Sequence, residues 1–153
     1  LPHLTVTHKD MTRYIMTLDE SIDLITNACL NAQSGEIFMP KLKSMRIIDL
    51  AEIFARRFDK KIKITGIRPG EKLHEELISE PESLRVKTYK DVYILRSSLS
   101  ALNGSGKVFS YRSVQGVVSL SELEDYLDTI HIFEKSVADF EGKHIEEINT
   151  SLE

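Results

Sequence analysis

At 153 residues, with 41% hydrophobic and 29% charged residues, the chain is long enough for one domain with a real core and has an ordinary globular make-up. A formal net charge of −4 gives no global field to gather nucleic acid, and a single cysteine, Cys29, excludes an internal disulfide, which fits a reducing compartment. No apolar run approaches the ~20 residues that span a bilayer, and the first residues are polar and β-like rather than patterned as a signal peptide.

The chain opens at Leu1 with "LPHLTVTH", which reads as a strand over residues 3–8 that needs a partner. The expectation is a piece of a larger polypeptide or a processed product. "TLDE" follows, with Thr17 and Glu20 in capping-box register. Leu18, Ile22, Ile25, Cys29 and Ala32 then form one apolar stripe, so a helix is expected that buries them, with Gly35 as its stop. "EIFMP" (36–40) reads as a short strand closed by Pro40. A helix over 47–58 should bury Ile47, Leu50, Ala51, Phe54 and Phe58, with Asp49 and Glu52 near its start and Arg56 and Arg57 near its end. "KIKITGI" (61–67) alternates as a half-buried strand.

The "RPGEK" turn then leads into an expected helix over 71–78, broken by "ISEPES". "DVYILRS" (91–97) is a strand candidate, and a Gly/Ser loop spans 102–107. "SLSE" (119–122) is a second capping box. The helix it opens should carry Leu123, Leu127, Ile130, Phe133, Val137 and Phe140, with Gly142 near its end. Alternating strands and helices indicate α/β. The strands are too short and few for a self-contained, doubly covered parallel sheet, which again suggests that part of the fold lies elsewhere.

Familiar catalytic patterns are missing. There is no GxGxxG or GxxGxxG, no P-loop, no metal-ligand spacing among the five histidines and no Tyr-x-x-x-Lys pair. What remains is recognition chemistry. Pro69 fixes its own φ and biases Arg68 towards extended backbone, and Gly70 permits a sharp turn and close approach of a ligand. Arg68 is thereby aimed, and its planar fork matches a phosphate. Glu71 can accept hydrogen bonds from a diol such as a ribose. A second arginine, Arg13, lies in "DMTRY". Two arginines and a carboxylate suit a nucleotide diphosphate. Bland alternatives stand beside each reading: a helix N-terminus with a structural salt bridge for Arg68 and Glu71, and a surface residue for Arg13. Likewise a helix surface would account for His74, a solvated face for Arg56, Arg57, Lys60, Lys61 and Lys63, and the core for Cys29.

"MTRYIMTLDESIDLI", "GEIFMPKLKSMRIIDLAE" and "ITGIRPGEKLHEEL", in that order, resemble the C-terminal half of the nucleoside-diphosphate-sugar dehydratase/epimerase family of extended short-chain dehydrogenases. The likeness is greatest to the inverting UDP-N-acetylglucosamine 4,6-dehydratases of flagellin glycosylation and capsule synthesis. "FMPKLKSM" favours that branch over long, membrane-anchored relatives, and "YRSVQGVVSLSELEDYL" resembles the closing segment of polysaccharide-biosynthesis proteins. The similarity covers residues 1–128, read as a substrate-binding C-terminal lobe. Residues 129–153 are read as a helical extension or tail.

The resemblance implies an α/β lobe of an NAD(P)-binding Rossmann-type enzyme, incomplete without its N-terminal lobe. That other lobe would hold NADP and the catalytic Thr/Ser, Asp, Lys and Tyr-x-x-x-Lys set, so no catalytic, cofactor or metal residue is expected here. By the same resemblance Arg13 contacts the diphosphate, and the clamp of Arg68, Pro69, Gly70 and Glu71 puts Arg68 on phosphate and Glu71 on ribose. His3 and Thr5, on one face of the first strand, lie along the uracil. In the implied lyase reaction hydride leaves C4 for NADP, water is eliminated across C5–C6 and hydride returns to C6. UDP-N-acetylglucosamine or a related UDP-sugar is the implied ligand, in a cytoplasmic homo-oligomer without nucleic acid or membrane. The isolated chain should not turn over. A UDP-sugar 4-epimerase, a standalone nucleotide-sugar-binding module and an interaction protein using the 121–140 helix are the alternatives.

Overall fold

A computed structural model describes residues 3–99 and 107–134. It is a mixed α/β structure of short strands in several small sheets. In chain order these elements are β1 (His3–Val6), β2 (Thr12–Ile15), α1 (Leu18–Asn31), β3 (Ile37–Pro40), β4 (Lys43–Arg46), α2 (Ile47–Arg57), β5 (Lys61–Ile64), β6 (Glu76–Ile78), α3 (Glu80–Ser83), β7 (Val86–Tyr89), β8 (Val92–Leu95), β9 (Tyr111–Arg112) and α4 (Leu120–Thr129).

The first strand finds its partner within the chain. β1 pairs in parallel with β5, His3 opposite Lys61 and Thr5 opposite Lys63. The parallel order requires a crossover, and α2 supplies it. β2 pairs antiparallel with β4, β3 with β8 and β8 with β7, and β6 with β9. Two apolar clusters hold these pieces. Met39, Ile78, Val86 and Leu95 form one, with Tyr93, Phe109 and Tyr111 against it. Ile53, Leu123 and Leu127 form the other, where α2 meets α4.

Both expected capping boxes are built. Thr17 accepts from the Glu20 amide at the start of α1, and Ser119 from the Glu122 amide at the start of α4. The face of α1 differs from expectation. None of its residues is buried, and Leu18, Ile22 and Ile25 are 68%, 51% and 59% exposed. Cys29 is exposed too rather than part of a core. The helix ends at a cap on Ala32, before Gly35. On α2 the buried residues are Asp49, Ala51 and Ile53, while Phe58 is half exposed. Packing on α4 turns Ile53 inward and leaves Ile47, Leu50 and Phe54 bordering a cleft against β1.

The expected helix over 71–78 does not form. The Leu73 carbonyl accepts from Thr12 N at 3.1 Å and the Glu75 carbonyl from Ser113 N at 2.8 Å, so acceptors that a helix would use along its own axis are taken by distant segments. Residues 76–78 continue as β6. α4 stops at Thr129, and His131 adopts φ +52°, which a continuing helix cannot accommodate. Val137, Phe140 and Gly142, most of the 102–107 loop and most of the 129–153 tail lie outside the described residues. Among the described residues no helix is long and apolar enough to cross a membrane.

Candidate functional site: the clamp loop at the ends of the parallel strands

β1 and β5 run side by side and deliver the chain to a shared end. Thr65 N donates to the Val6 carbonyl at 2.9 Å, extending the pairing by one step. Side chains alternate along a strand, so His3, Thr5 and Thr7 lie on one face, beside Lys61, Lys63 and Thr65. Beyond it the backbone of 65–75 is irregular and turns at Gly66 and Gly70, with φ of +89° and +81°. Both values lie where a Cβ is strained, which is the reason for glycine here.

Residues 68–71 close as a tight turn. Glu71 N donates to the Arg68 carbonyl at 3.0 Å, and Glu71 Oε2 accepts from Arg68 N at 3.1 Å. The other carboxylate oxygen, Oε1, accepts from the Thr7 hydroxyl at 3.3 Å. Glu71 thus ties the turn to the end of β1. Arg68, Pro69 and Gly70 are exposed, and the Arg68 guanidinium makes no side-chain hydrogen bond or ion pair among the described residues.

Arg13 sits on β2, the strand that directly precedes α1. Its Nη1 donates to the carbonyls of Thr12 at 2.8 Å and Leu73 at 3.3 Å, and its Nη2 to that of Lys72 at 2.9 Å. Its Nε faces Glu75 at 3.5 Å. His74, half buried, brings Nδ1 to 2.8 Å from the Thr12 hydroxyl. That hydroxyl is 2.7 Å from Ser113 Oγ, which accepts from Glu75 N at 2.8 Å. Thr12 and Ser113 are 3% and 0% exposed, so the network is internal. His74 borders a hollow of roughly 530 Å³ shared with Asp10, Arg46 and the valines at 114, 117 and 118.

The structure therefore gathers Arg13, Arg68, Pro69, Gly70 and Glu71 on one loop and its support. Thr5 lies exposed halfway along the strand leading to it. His3 stands four residues before Thr7, ~13 Å away along an extended strand, and borders a separate hollow with Lys60, Lys61 and Lys63. Reading the sequence missed Thr7, Thr12 and Ser113. Thr7 shares the period of His3 and Thr5 and could have been included. Ser113 carries no local signal. Arg56 and Arg57 pair with Glu124 and Asp128 on α4, as a solvated helix end would.

Chemically the loop offers a free guanidinium, a carboxylate with spare lone pairs and threonine hydroxyls. That set has the chemistry to hold an anion bearing hydroxyl groups. NADP does not fit these residues. The positive-φ glycines at 35, 66, 70 and 116 belong to separate turns, and the loop holding 66 and 70 runs into strand β6 rather than a helix N-terminus. Among the described residues no group of His, Cys, Asp or Glu could hold a metal ion.

Residues 2–97 match a family model described as polysaccharide biosynthesis protein. Over 101 residues the chain is 43% identical to an uncharacterised membrane protein of Methanocaldococcus jannaschii, covering 60% of this chain and 30% of that protein. It is 36% identical over 96 residues to a UDP-N-acetylglucosamine 4,6-dehydratase (inverting) of Campylobacter jejuni, covering 63% and 28%. It is 33% identical over 125 residues to a UDP-glucose 4-epimerase of Rickettsia massiliae, covering 80% and 35%. The X-ray structure of Pen from Bacillus thuringiensis superimposes with a TM-score of 0.76 at 32% identity, covering 85% of this chain and 42% of that one. The chain spans about a third or less of the length of these curated relatives.

Proposed function

The chain belongs to the polysaccharide biosynthesis protein family, and from that premise we propose that it is the UDP-sugar-binding portion of a UDP-N-acetylglucosamine 4,6-dehydratase. Its family relatives include nucleotide-sugar dehydratases and epimerases. In the proposed complete protein a further, N-terminal Rossmann lobe holds NADP, the lyase reaction yields a 4-keto-6-deoxy sugar nucleotide, and the enzyme works as a cytoplasmic homo-oligomer.

One observation carries the reading. An Arg68 guanidinium without a partner among the described residues projects from a turn whose carboxylate, Glu71, is already oriented by Thr7 and the Arg68 amide. The bound ligand puts its diphosphate on Arg68 and its ribose hydroxyls on the remaining lone pairs of Glu71. The face of Thr5 and His3 takes the base. The turn is stiff because a sugar held by its nucleotide end must present C4 to a hydride acceptor in fixed geometry. A UDP-sugar 4-epimerase is the second reading, favoured by the wider coverage of the Rickettsia relative.

Calorimetric titration of the chain with UDP and UDP-N-acetylglucosamine tests this. A charge-assisted hydrogen bond contributes about 1.5–3 kcal/mol, so Arg68→Ala should weaken UDP roughly 10- to 150-fold. Equal affinity for the parent and Arg68→Ala chains removes Arg68 from the site.

A further inference from the structure

The resemblance assigns Arg13 to the diphosphate, but its surroundings suit another task. A guanidinium carries five N–H groups. Three contacts from Arg13 go to main-chain carbonyls, those of Thr12, Lys72 and Leu73, and Nε is turned to Glu75. One hydrogen on Nη2 is left over. Arg68, by contrast, has its whole fork unengaged among the described residues. The stretch that Arg13 grips, residues 72–75, has no helix or sheet of its own. Its carbonyls at 72 and 73 are met instead by Arg13 and by the Thr12 amide. The His74 ring is fixed from the same strand, through the Thr12 hydroxyl.

We propose that Arg13 is a positioning residue: its planar fork fastens residues 72–75 to β2 and so fixes the direction in which the neighbouring 68–71 turn points. This rests on the reading of that turn as a sugar-nucleotide grip. A lysine cannot substitute, because a single ammonium lacks the planar fork that spans several carbonyls at once. Loss of the fastening loosens every part of the grip together. Loss of a direct phosphate contact would weaken only ligands that carry phosphate.

Amide hydrogen exchange on the unliganded 153-residue chain reads the fastening. In Arg13→Gln and Arg13→Lys the amides of Thr12, Arg68, Glu71 and Glu75 should exchange at least about tenfold faster, while those of Ile53, Ile78 and Leu123 keep their protection. Titrations with UDP and uridine supply the second readout. Arg13→Gln should weaken both by the same factor, leaving their ratio unchanged, whereas Arg68→Gln should lower the preference for UDP. Unaltered loop exchange overturns the proposal, as does a selective loss of UDP affinity with loop protection intact. If Arg13→Gln also strips protection from the core amides, Arg13→Lys decides in its place. If neither nucleotide binds the parent chain, the sugar-nucleotide reading fails, and the exchange rates still decide whether Arg13 fastens the loop.

Discussion

Replacing Tyr14 by phenylalanine should stabilise the protein. The ring of Tyr14 lies on β2 with its centroid 5.2 Å from that of Tyr111, and its hydroxyl is buried without a hydrogen-bond partner among the described residues. The Tyr111 hydroxyl is turned to Leu42, accepting from its N–H at 2.6 Å and donating to its carbonyl at 3.1 Å, and makes no bond to Tyr14. A buried polar group left unpaired costs about 1–3 kcal/mol, and Tyr14→Phe removes it while keeping the ring contacts. A gain of roughly 1 kcal/mol should raise Tm by about 2–4 °C in a chain of this size. Titration gives a second signature. Burial first, then the neighbouring Tyr111, Glu75, Glu76 and Tyr93, push the Tyr14 phenol above its ordinary value of 10.0. The folded state therefore holds that proton more tightly than the unfolded chain. The associated stability is complete below pH 10 and is lost as pH rises further. Tyr111 and Tyr126 are displaced in the same direction, chiefly by burial, so Tyr14→Phe should flatten this alkaline decline without removing it. Urea denaturation at pH 7 and above pH 10 measures both effects. A loss of 1 kcal/mol or more at pH 7 would refute the argument, because it would mean that the hydroxyl has a partner.

Two further outcomes concern stability. Ile53, 1% exposed between α2 and α4, should cost about 2–5 kcal/mol when cut to alanine, and a loss under 1 kcal/mol on urea denaturation would show that Leu123 and Leu127 do not rely on it. Glu122 is held below the usual carboxylate value of 4.5 first by the Ser119 amide and then by the Ser119 hydroxyl, so its contribution is present above that value and fades as pH falls through the lowered one. Glu122→Gln should therefore shallow the acid decline in stability, and an unchanged slope between pH 6 and pH 3 would count against the capping box as its source.

Local signals were legible and distant ones were not. The boxes at Thr17/Glu20 and Ser119/Glu122 need only four consecutive residues, and both are formed as read. The Arg68–Glu71 turn was legible for the same reason. The helix expected at 71–78 failed because Thr12 and Ser113, remote in sequence, take its carbonyls. "TRYI", "KSMR" and "VKTY" are too short to show alternation, and each becomes a strand only by meeting its partner. Thr7 reaches Glu71 across 64 positions, so no window of sequence could have joined them. Arg13 stood out beside Arg68 as a second candidate fork, but what its donors touch is a tertiary fact.

The outward apolar rib on α1 bears on what counts as the folded unit. A fourteen-residue helix is marginal in water when no large surface covers it, and this one draws on its Thr17–Glu20 cap and a narrow seat beside β3. Residues 18–31 should then melt ahead of either apolar cluster, an order that amide exchange along the chain would read. Any surface that shelters Leu18, Ile22 and Ile25 would set the melting point of that segment, and its helicity would report on whether the shelter is in place.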